Sequence, residues 1–398
     1  MTLKNVTDFE KVIEPGNLYR IPGRSFFSES EIPTPYKSNH ASNLVELDNG
    51  DLLCAWFAGT SEGSSDTKIV LSRMDADTNK WSLCIRISED FTCSEQNPFL
   101  FDFGKGRVWL VHTAQKARQC TRQEWEDLIQ NGQASGDYTM QETAEIRVLE
   151  SLDYGHHFHE RNPLNSKSGA FCRQPFIRLS NKELLLGMWY SVNMDGDFER
   201  GALYGKDYSA CLISDNDGET WTEYPVPGSI GRVHMQPIEL EPGKLLALFR
   251  SRYADRIYKS YSHDYGRTWS EPIPTELPNN NASIQAKKLH NGHIALIYNH
   301  TPYLYNDASA VRWPANSRNH ISVAISKDGG ETWPYIRVVE PGEEFYGEQN
   351  KSCNLEYSYP SIIQTKDDKL HVTYTFAGRK CIKHVVIDEN WVKGGKTD

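Results

Sequence analysis

The sequence lacks the features that would place it in several common functional classes. Its eight cysteines include no C-x-x-C pair, which disfavours a zinc site. It has no apolar run long enough to cross a membrane as a helix, and its first residues lack the apolar stretch of a secretory signal. Lysine and arginine number 43 against 53 acidic residues, and the resulting net charge of -10 disfavours nucleic acid as a partner.

These absences predict the compartment, the partners and the number of domains. We expect a cytoplasmic protein, or a secreted one if a signal has been trimmed, that is monomeric and binds neither membranes nor nucleic acid. Several cysteines lie in strand-like apolar runs, as Cys54 does between Leu53 and Ala55, and are expected to be buried free thiols rather than disulfides. No linker or low-complexity stretch interrupts the chain, which predicts one domain over residues 1–398.

What the sequence does contain is a repeated eight-residue turn motif. Ser and Asp or Asn side chains in it can bond nearby backbone N–H groups, its glycine permits a positive φ, and its aromatic residue can pack between neighbouring units. The motif therefore indicates a structural hairpin turn rather than a catalytic group. Two full copies and two weaker ones are Ser262-His-Asp264-Tyr-Gly266-Arg-Thr268-Trp269, Ser326-Lys-Asp328-Gly-Gly330-Glu-Thr332-Trp333, Ser214-Asp-Asn216-Asp-Gly218-Glu-Thr220-Trp221 and Ser151-Leu-Asp153-Tyr-Gly155-His-His157-Phe158.

Around these turns lie six units in which one apolar strand turns into a second, as Asn43–Leu47 turns into Asp51–Phe57. Helical periodicity is confined to one insertion, Thr121–Gly132. Repeated four-stranded antiparallel units arranged radially form a β-propeller. The fold class is thus all-β, with six blades by count and seven left open, and the segment Phe9–Ile13 is predicted to complete the last blade.

The turn motif resembles the Asp box, or BNR repeat, of the sialidase superfamily, and the match spans most of the chain. The resemblance implies a sialidase-like propeller. It is less specific for activity, because Asp boxes also occur in propellers with other functions. Sialidases hold the substrate carboxylate with three arginines and use a tyrosine nucleophile that a glutamate activates, with an aspartate as the acid.

Several positions of this sequence match that pattern. Arg250 and Arg318 correspond to the second and third arginines, and Tyr359 corresponds to the nucleophile. Asp66, with Glu62 nearby, corresponds loosely to the acid. The resemblance therefore implies that these five residues bind and process a carboxylated sugar.

Two positions depart from the pattern. The segment Tyr19-Arg20-Ile21-Pro22 resembles the one that carries the first arginine, but the required hairpin follows Asn39–Ser42 instead. By register, His40 then replaces the first arginine, and His234 stands where the glutamate should activate Tyr359. The arginine triad is incomplete and its glutamate is absent.

Histidines at these positions suit a different reaction. Two arginines can clamp a carboxylate, the neutralised carboxylate acidifies the adjacent C–H bond, and an imidazole is a natural general base. That combination permits β-elimination from a uronic acid. The pattern resembles the L-rhamnose-α-1,4-D-glucuronate lyases, in which a histidine carries the main catalytic role. The resemblance therefore assigns this role to His40. The catalytic candidates are His40, His234 and Tyr359, and the substrate-binding candidates are Arg250, Arg318, Arg173, His112, Asp66 and Glu62.

Two other functions stay open at this stage. One is an exo-sialidase-like hydrolase with Tyr359 as nucleophile, and the other is a non-catalytic glycan-binding propeller. The expected partner of an enzyme of either kind is an oligosaccharide or polysaccharide terminus that bears a carboxylate. No cofactor and no metal ligands are predicted, although a propeller axis leaves room for a structural calcium ion.

Overall fold

The computed structural model describes residues 4–5, 15–20, 28–164, 167–191, 206–301, 318, 320–340 and 357–394. Within these residues the strands form six sheets, which are the six blades of a β-propeller. The described strands thus form six blades rather than seven, the other count that the sequence left open. Strands are numbered along the chain, and each blade is given below from its innermost strand outward.

The first half of the chain builds three blades after three short N-terminal strands. The N-terminal strands are β1 (Lys4–Asn5), β2 (Tyr19–Arg20) and β3 (Ser28–Ile32). Blade 1 has β4 (Ser38–Glu46), β5 (Leu52–Gly59), β6 (Lys68–Met74) and β7 (Ile85–Arg86). Blade 2 has β8 (Cys93–Gly104), β9 (Arg107–Lys116), β10 (Glu145–Ser151) and β11 (His159–Glu160). Blade 3 has a divided inner strand, β12 (Ala170–Cys172) and β13 (Ile177–Arg178), then β14 (Leu184–Tyr190), β15 (Tyr208–Ser214) and β16 (Thr222–Pro225).

The second half builds the other three blades. Blade 4 has β17 (Arg232–Glu241), β18 (Lys244–Ser251), β19 (Arg256–Ser262) and β20 (Ile273–Pro278). Blade 5 has β21 (Gln285–Lys288), β22 (Ile294–Asn299), β23 (Ile321–Ser326) and β24 (Tyr335–Glu340). Blade 6 has β25 (Ser358–Gln364), β26 (Leu370–Phe376) and β27 (Cys381–Ile387). The helices of the described residues are α1 (Arg122–Gln130), α2 (Glu389–Lys393) and a single 3₁₀ turn, Gln141–Thr143.

An N-terminal strand completes blade 6. Strand β3 pairs antiparallel with β27, and β2 pairs with β3 on the far side. The segment Phe9–Ile13, which the sequence pattern assigned to this task, lies outside the described residues. On the inner side, β25 of blade 6 packs against β4 of blade 1, which closes the ring.

The turn motif forms the predicted hairpin between the third and fourth strands of a blade. In blade 4 the hydroxyl of Ser262 donates to Asp264, whose Oδ1 accepts from the backbone N–H of Thr268. Gly266 has a φ of 90°, and the indole of Trp269 donates to its carbonyl. Trp269 is buried among side chains of blades 3 and 4. The mechanical interpretation of the motif is confirmed.

The glycine of the motif also sets how closely two blades approach. A Cβ added at Gly218 in blade 3 would lie 2.4 Å from the buried indole of Trp109 in blade 2. Gly155, Gly266 and Gly330 meet a leucine on the second strand of the preceding blade in the same way. The motif therefore needs glycine for the space between blades as well as for its φ.

We expect Gly218→Ala to destabilise the fold by about 2–4 kcal/mol, since it adds overpacking against a rigid indole to the strain of a left-handed alanine. Gly292→Ala is the matched control, because Gly292 has a φ of 86° but nothing within 4 Å of an added Cβ. The control should lose only about 1–2 kcal/mol. Equilibrium denaturant unfolding measures both values, and equal losses would contradict the role of the contact between blades.

Two smaller predictions are also confirmed. Helix α1 begins after Thr121, whose side chain forms a reciprocal capping box with Glu124. The seven cysteines among the described residues are free thiols, and six of them are buried. Cys353 lies outside the described residues. No helix within the described ranges combines the length and the apolar character needed to span a bilayer.

Candidate active site

The innermost strands are interrupted near their starts, at the end of the propeller opposite the turn motifs. Register shifts in blades 1, 2, 4 and 6 coincide with left-handed backbone at non-glycine residues. The φ values are 61° at Ala41, 51° at Asn97, 54° at His234 and 51° at Tyr359. Such conformations cost about 1–3 kcal/mol each, and bulges re-aim side chains. Two of these four residues, His234 and Tyr359, are catalytic candidates from the sequence.

Tyr359 lies at the centre of the residues that these bulges bring together. Its ring centroid is 4.2 Å from that of His40 and 5.6 Å from that of His234. The guanidinium carbons of Arg250 and Arg318 lie 5.5 and 5.4 Å from the same centroid. Five of the residues predicted from the sequence therefore meet at one place, although they come from four blades.

The phenol of Tyr359 is bonded to a cation. Its oxygen accepts a hydrogen bond from Nη1 of Arg250 at 2.6 Å. A guanidinium only donates, so the phenol O–H remains available as a donor. Burial by itself raises the pKa of Tyr359, but the positive charges of Arg250 and Arg318 outweigh it and lower the pKa below the ordinary value of about 10. Tyr359 is therefore a stronger acid than an ordinary tyrosine.

His234 shares the same guanidinium group. Nη1 of Arg250 lies 3.1 Å from Nε2 of His234, and Nδ1 of His234 lies 2.9 Å from the hydroxyl of Ser283. Because Arg250 can only donate, Nε2 must accept and the proton of the neutral ring is on Nδ1. Burial, and then the neighbouring arginines, hold the pKa of His234 well below its usual value. His234 is a neutral ring whose lone pair is already engaged.

The ring of His40 is oriented by a hydrogen bond at Nδ1. Its Nδ1 lies 2.8 Å from the hydroxyl of Thr375, which also accepts from the backbone N–H of Ala41. Its ring packs edge-on against Phe57 at 5.3 Å. These contacts orient the ring, and its Nε2 is the nitrogen remote from Thr375. Proton transfer by His40 would therefore use Nε2.

One asparagine links the two arginines. Nε of Arg250 donates to the side-chain oxygen of Asn281 at 2.9 Å, and Nη2 of Arg318 donates to its backbone oxygen at 3.3 Å. Arg250 is buried, whereas Arg318 is half-buried. A left-handed residue, Asn281, thus fixes two guanidinium groups beside the phenol. Their arrangement suits a planar carboxylate.

The two acidic candidates differ in position. The carboxylate of Glu62 acts electrostatically on Tyr359 and opposes the effect of the arginines on its pKa. Glu62 is oriented by Arg379, whose Nη2 lies 2.8 Å from Oε2, and by Arg122, which donates to its carbonyl. Asp66 is exposed and accepts both the backbone N–H and the hydroxyl of Thr60. Glu62, rather than Asp66, is the acid near the cluster.

The two remaining candidates differ in how close they lie to this cluster. His112 lies on β9, the second strand of blade 2, where its Nε2 is 3.8 Å from Glu95 of the neighbouring strand β8, and burial lowers its pKa to about 3. None of its contacts within the described residues reaches Tyr359. Arg173 is next to the cluster, with its guanidinium carbon 5.8 Å from the ring centroid of Tyr359, and its Nη2 donates to backbone carbonyls. The sequence pattern did not indicate the direction in which either side chain would point.

The assignment of register that produced His40 agrees with this geometry. Tyr19 and Arg20 form β2 at the outer side of blade 6, two strands beyond β27. His40 lies in β4, the innermost strand of blade 1. An imidazole, and not the guanidinium of Arg20, therefore faces Tyr359.

Sequence reasoning missed the residues that orient this cluster. They are Thr375, Ser283 and Asn281, together with Trp189, whose indole stacks on the ring of His234 at 4.3 Å. The run Asn279-Asn280-Asn281 before β21 was a usable signal, because asparagine tolerates left-handed backbone at a strand start. In the described part of the chain, no group of three or more His, Cys, Asp or Glu side chains is arranged to hold a metal ion.

Comparison with known proteins adds a family and a fold. The family model for the BNR repeat-like domain matches residues 50–372. The Hadza microbial sialidase Hz136 is a similar structure: it is 16% identical, with a TM-score of 0.66 over 89% of this chain and 66% of its own. A protein of unknown function from Dyadobacter fermentans is 18% identical, with a TM-score of 0.67 over 92% of this chain and 100% of its own.

A third similar structure is the intramolecular trans-sialidase from Ruminococcus gnavus in complex with oseltamivir carboxylate. It is 13% identical, with a TM-score of 0.63 over 91% of this chain and 97% of its own. At these identities the likeness establishes the fold alone. No curated protein matches the sequence.

Proposed function

The chain belongs to the BNR repeat-like domain family, and on that premise we propose that it is a glycan-processing lyase. It cleaves a terminal sugar from a uronic acid by β-elimination, as the L-rhamnose-α-1,4-D-glucuronate lyases do. Support comes from the sialidase-like propeller and from the contacts of His40, Tyr359 and the two arginines. One structural neighbour, the trans-sialidase from Ruminococcus gnavus, carries a carboxylate-bearing ligand in its complex.

Arg250 and Arg318 bind the uronate carboxylate in this proposal. Their guanidinium groups lie beside the phenol at similar distances from its ring, 5.5 and 5.4 Å. Pairing with two cations withdraws charge from the carboxylate, so the proton on the adjacent C5 becomes more acidic. The same cations stabilise the enolate-like charge that develops when that proton leaves.

His40 and Tyr359 move the protons. His40 takes the C5 proton at Nε2, and the C–H electron pair becomes the C4–C5 double bond. The C4–O4 bond breaks, and Tyr359 gives its phenolic proton to the departing O4. The imidazolium and the phenolate then return to their starting states by losing and gaining one proton. No water is consumed and no covalent intermediate forms.

One observation carries the choice of elimination over hydrolysis. Tyr359 has no acceptor for its phenolic proton among the described residues, and its one hydrogen-bond partner there is the donor Arg250. His234, which occupies the position of the activating glutamate, has its lone pair directed at the same guanidinium. A phenol that lacks a base is poorly arranged to attack a sugar, but it is well arranged to donate a proton.

The pH dependence of turnover distinguishes the two roles of Tyr359. As an acid it must be protonated, so kcat is expected to fall as pH rises through its pKa. Because that pKa is lowered, the fall should begin at lower pH than for an ordinary phenol. As a nucleophile it must be ionised, and the rate would rise over the same range. A pH profile of kcat on a cleaved substrate gives the sign.

Gum arabic, which carries rhamnosyl-glucuronate termini, tests the reaction itself. We expect released rhamnose together with an unsaturated uronate that absorbs in the ultraviolet. Rhamnose release without that absorbance would reject elimination. If neither appears with any acidic glycan offered, the non-catalytic glycan-binding alternative gains.

Sialoside hydrolysis is the second candidate, and the lowered pKa of Tyr359 favours it, because a more acidic phenol ionises more readily. A fluorogenic sialoside tests this reaction, with Tyr359→Phe as the control. Turnover that disappears in Tyr359→Phe would support hydrolysis, and no turnover at any pH would remove it.

A further inference from the structure

Arg173 is a buried arginine with an unusual set of partners. It lies between β12 and β13, where the inner strand of blade 3 is divided, and it is 1% exposed. Its Nη2 donates to three backbone carbonyls: Ser42 at 2.9 Å, Tyr359 at 3.0 Å and Pro360 at 3.3 Å. One nitrogen of blade 3 therefore contacts the innermost strands of blades 1 and 6 together.

All three carbonyls belong to bulges. Ser42 lies between His40 and Asn43, where the pairing of β4 with β5 shifts register. Tyr359 and Pro360 lie in the corresponding shift of β25 against β26. A bulge takes residues out of the hydrogen-bond ladder, and a buried carbonyl then needs another donor. Arg173 supplies that donor from across the propeller axis.

The charge of Arg173 is not paired with a carboxylate, although its guanidinium carbon lies 5.8 Å from the ring centroid of Tyr359. No Asp or Glu in the described residues forms a salt bridge with it, and burial lowers its pKa to about 10. Burying an unpaired charge is costly, and an apolar side chain of similar volume would avoid that cost. What an apolar side chain could not supply is the set of bonds to the bulge carbonyls.

We propose that Arg173 is a positioning residue: by bonding the carbonyls of both bulges it fixes the separation of the His40 and Tyr359 rings. This inference rests on the proposed function in taking those two rings as the reacting groups. The expectation from the sequence that Arg173 contacts substrate stays a separate prediction. Its effect is geometric, because a misplacement of about 1 Å between reacting groups can cost about 10²-fold in rate.

Arg173→Met is the test, with Arg173→Lys as the conservative variant. In Arg173→Met we expect kcat to fall about 10²-fold while KM changes little, since Arg250 and Arg318 still bind the carboxylate. Arg173→Lys should recover part of that loss, because an ammonium can still donate to these carbonyls. Arg147→Met, which removes a half-buried arginine that pairs with Asp90 on the outer part of blade 2, is the control for stability and should keep kcat.

Three results would overturn the proposal. They are a folded Arg173→Met protein with the wild-type kcat, a raised KM with an unchanged kcat, and no recovery in Arg173→Lys. A crystal structure of Arg173→Met, or of Arg173→Gln if the methionine variant fails to fold, supplies a readout that needs no turnover. We expect a ring separation greater than 4.2 Å or a changed φ at Tyr359. Unchanged rings would count against positioning by Arg173 even if the protein proves not to be a lyase.

Discussion

His40→Ala and His40→Asn are each expected to lower kcat about 10²–10⁴-fold on the uronate substrate, the usual contribution of a general base. Comparing the two variants distinguishes proton transfer by His40 from a role in holding its neighbours in place. Asparagine can keep the hydrogen bond that Nδ1 of His40 makes with Thr375 at 2.8 Å, but it has no basic nitrogen at the position of Nε2. If His40 takes the proton, both variants lose activity to a similar extent.

A buried histidine elsewhere gives the matched control. His371 in blade 6 lies 3.0 Å from His384, on the second strand and away from the cluster around Tyr359. His371→Asn should lower stability without a comparable loss of kcat. An active His40→Asn enzyme would show that the ring serves only to hold its neighbours, and the elimination mechanism would lose its base.

Arg250→Met is expected to give the second large effect, a loss of about 10²–10³-fold in kcat/KM. The variant removes a group that stabilises developing charge on the carboxylate and that donates to the phenol of Tyr359 at 2.6 Å. It also removes the positive charge that most lowers the pKa of Tyr359. That pKa should therefore rise, and the alkaline fall in kcat should move to higher pH.

The uronate methyl ester makes this measurement specific, since it removes the charge from the substrate instead of the enzyme. Wild type should process the ester slowly. On the ester, kcat/KM of Arg250→Met should be only slightly lower than that of wild type. The coupling between the two changes is the part of the effect that belongs to carboxylate recognition. If the two losses simply multiply, Arg250 acts through Tyr359 and does not bind the carboxylate.

The repeats explain why the architecture could be predicted from the sequence. Each copy of the turn motif carries its own local chemistry, so Ser262, Asp264 and Gly266 fix one hairpin without reference to the rest of the chain. Counting the units in which one apolar strand turns into a second gave six blades, and periodicity located α1 within one or two residues. The register of the first hairpin likewise indicated that His40, and not Arg20, takes the position of the first arginine.

Features that depend on contacts between distant segments could not be predicted in this way. The strand that completes blade 6 is Ser28–Ile32, a polar segment with little strand character, and its pairing with β27 is decided by the closed ring. The left-handed backbone at Tyr359 had no local signal, because a bulky tyrosine does not favour it, and histidine, which adopts it more often, is too weak a signal to locate it at His234. Those two bulges, held in place by tertiary contacts, are what bring the side chains together.

The facing direction of single side chains was equally hidden. The sequence pattern placed both His112 and Arg173 at the ends of inner strands, but His112 lies within β9, the second strand of blade 2, and Arg173 directly follows β12. In a strand buried on both faces, the apolar pattern does not mark which face carries a given residue. The structure directs His112 towards Glu95, and directs Arg173 towards the carbonyls beneath Tyr359.

The reaction of a defined rhamnosyl-glucuronate in isotopically labelled water tests the central claim most directly. If His40 and Tyr359 carry out elimination, mass spectrometry should find the uronate lighter than glucuronic acid by one water, with no labelled oxygen in the rhamnose or in the uronate from the cleaved bond. A saturated glucuronate accompanied by the label in either sugar would show that water attacks the linkage, and hydrolysis would replace elimination as the function of this site.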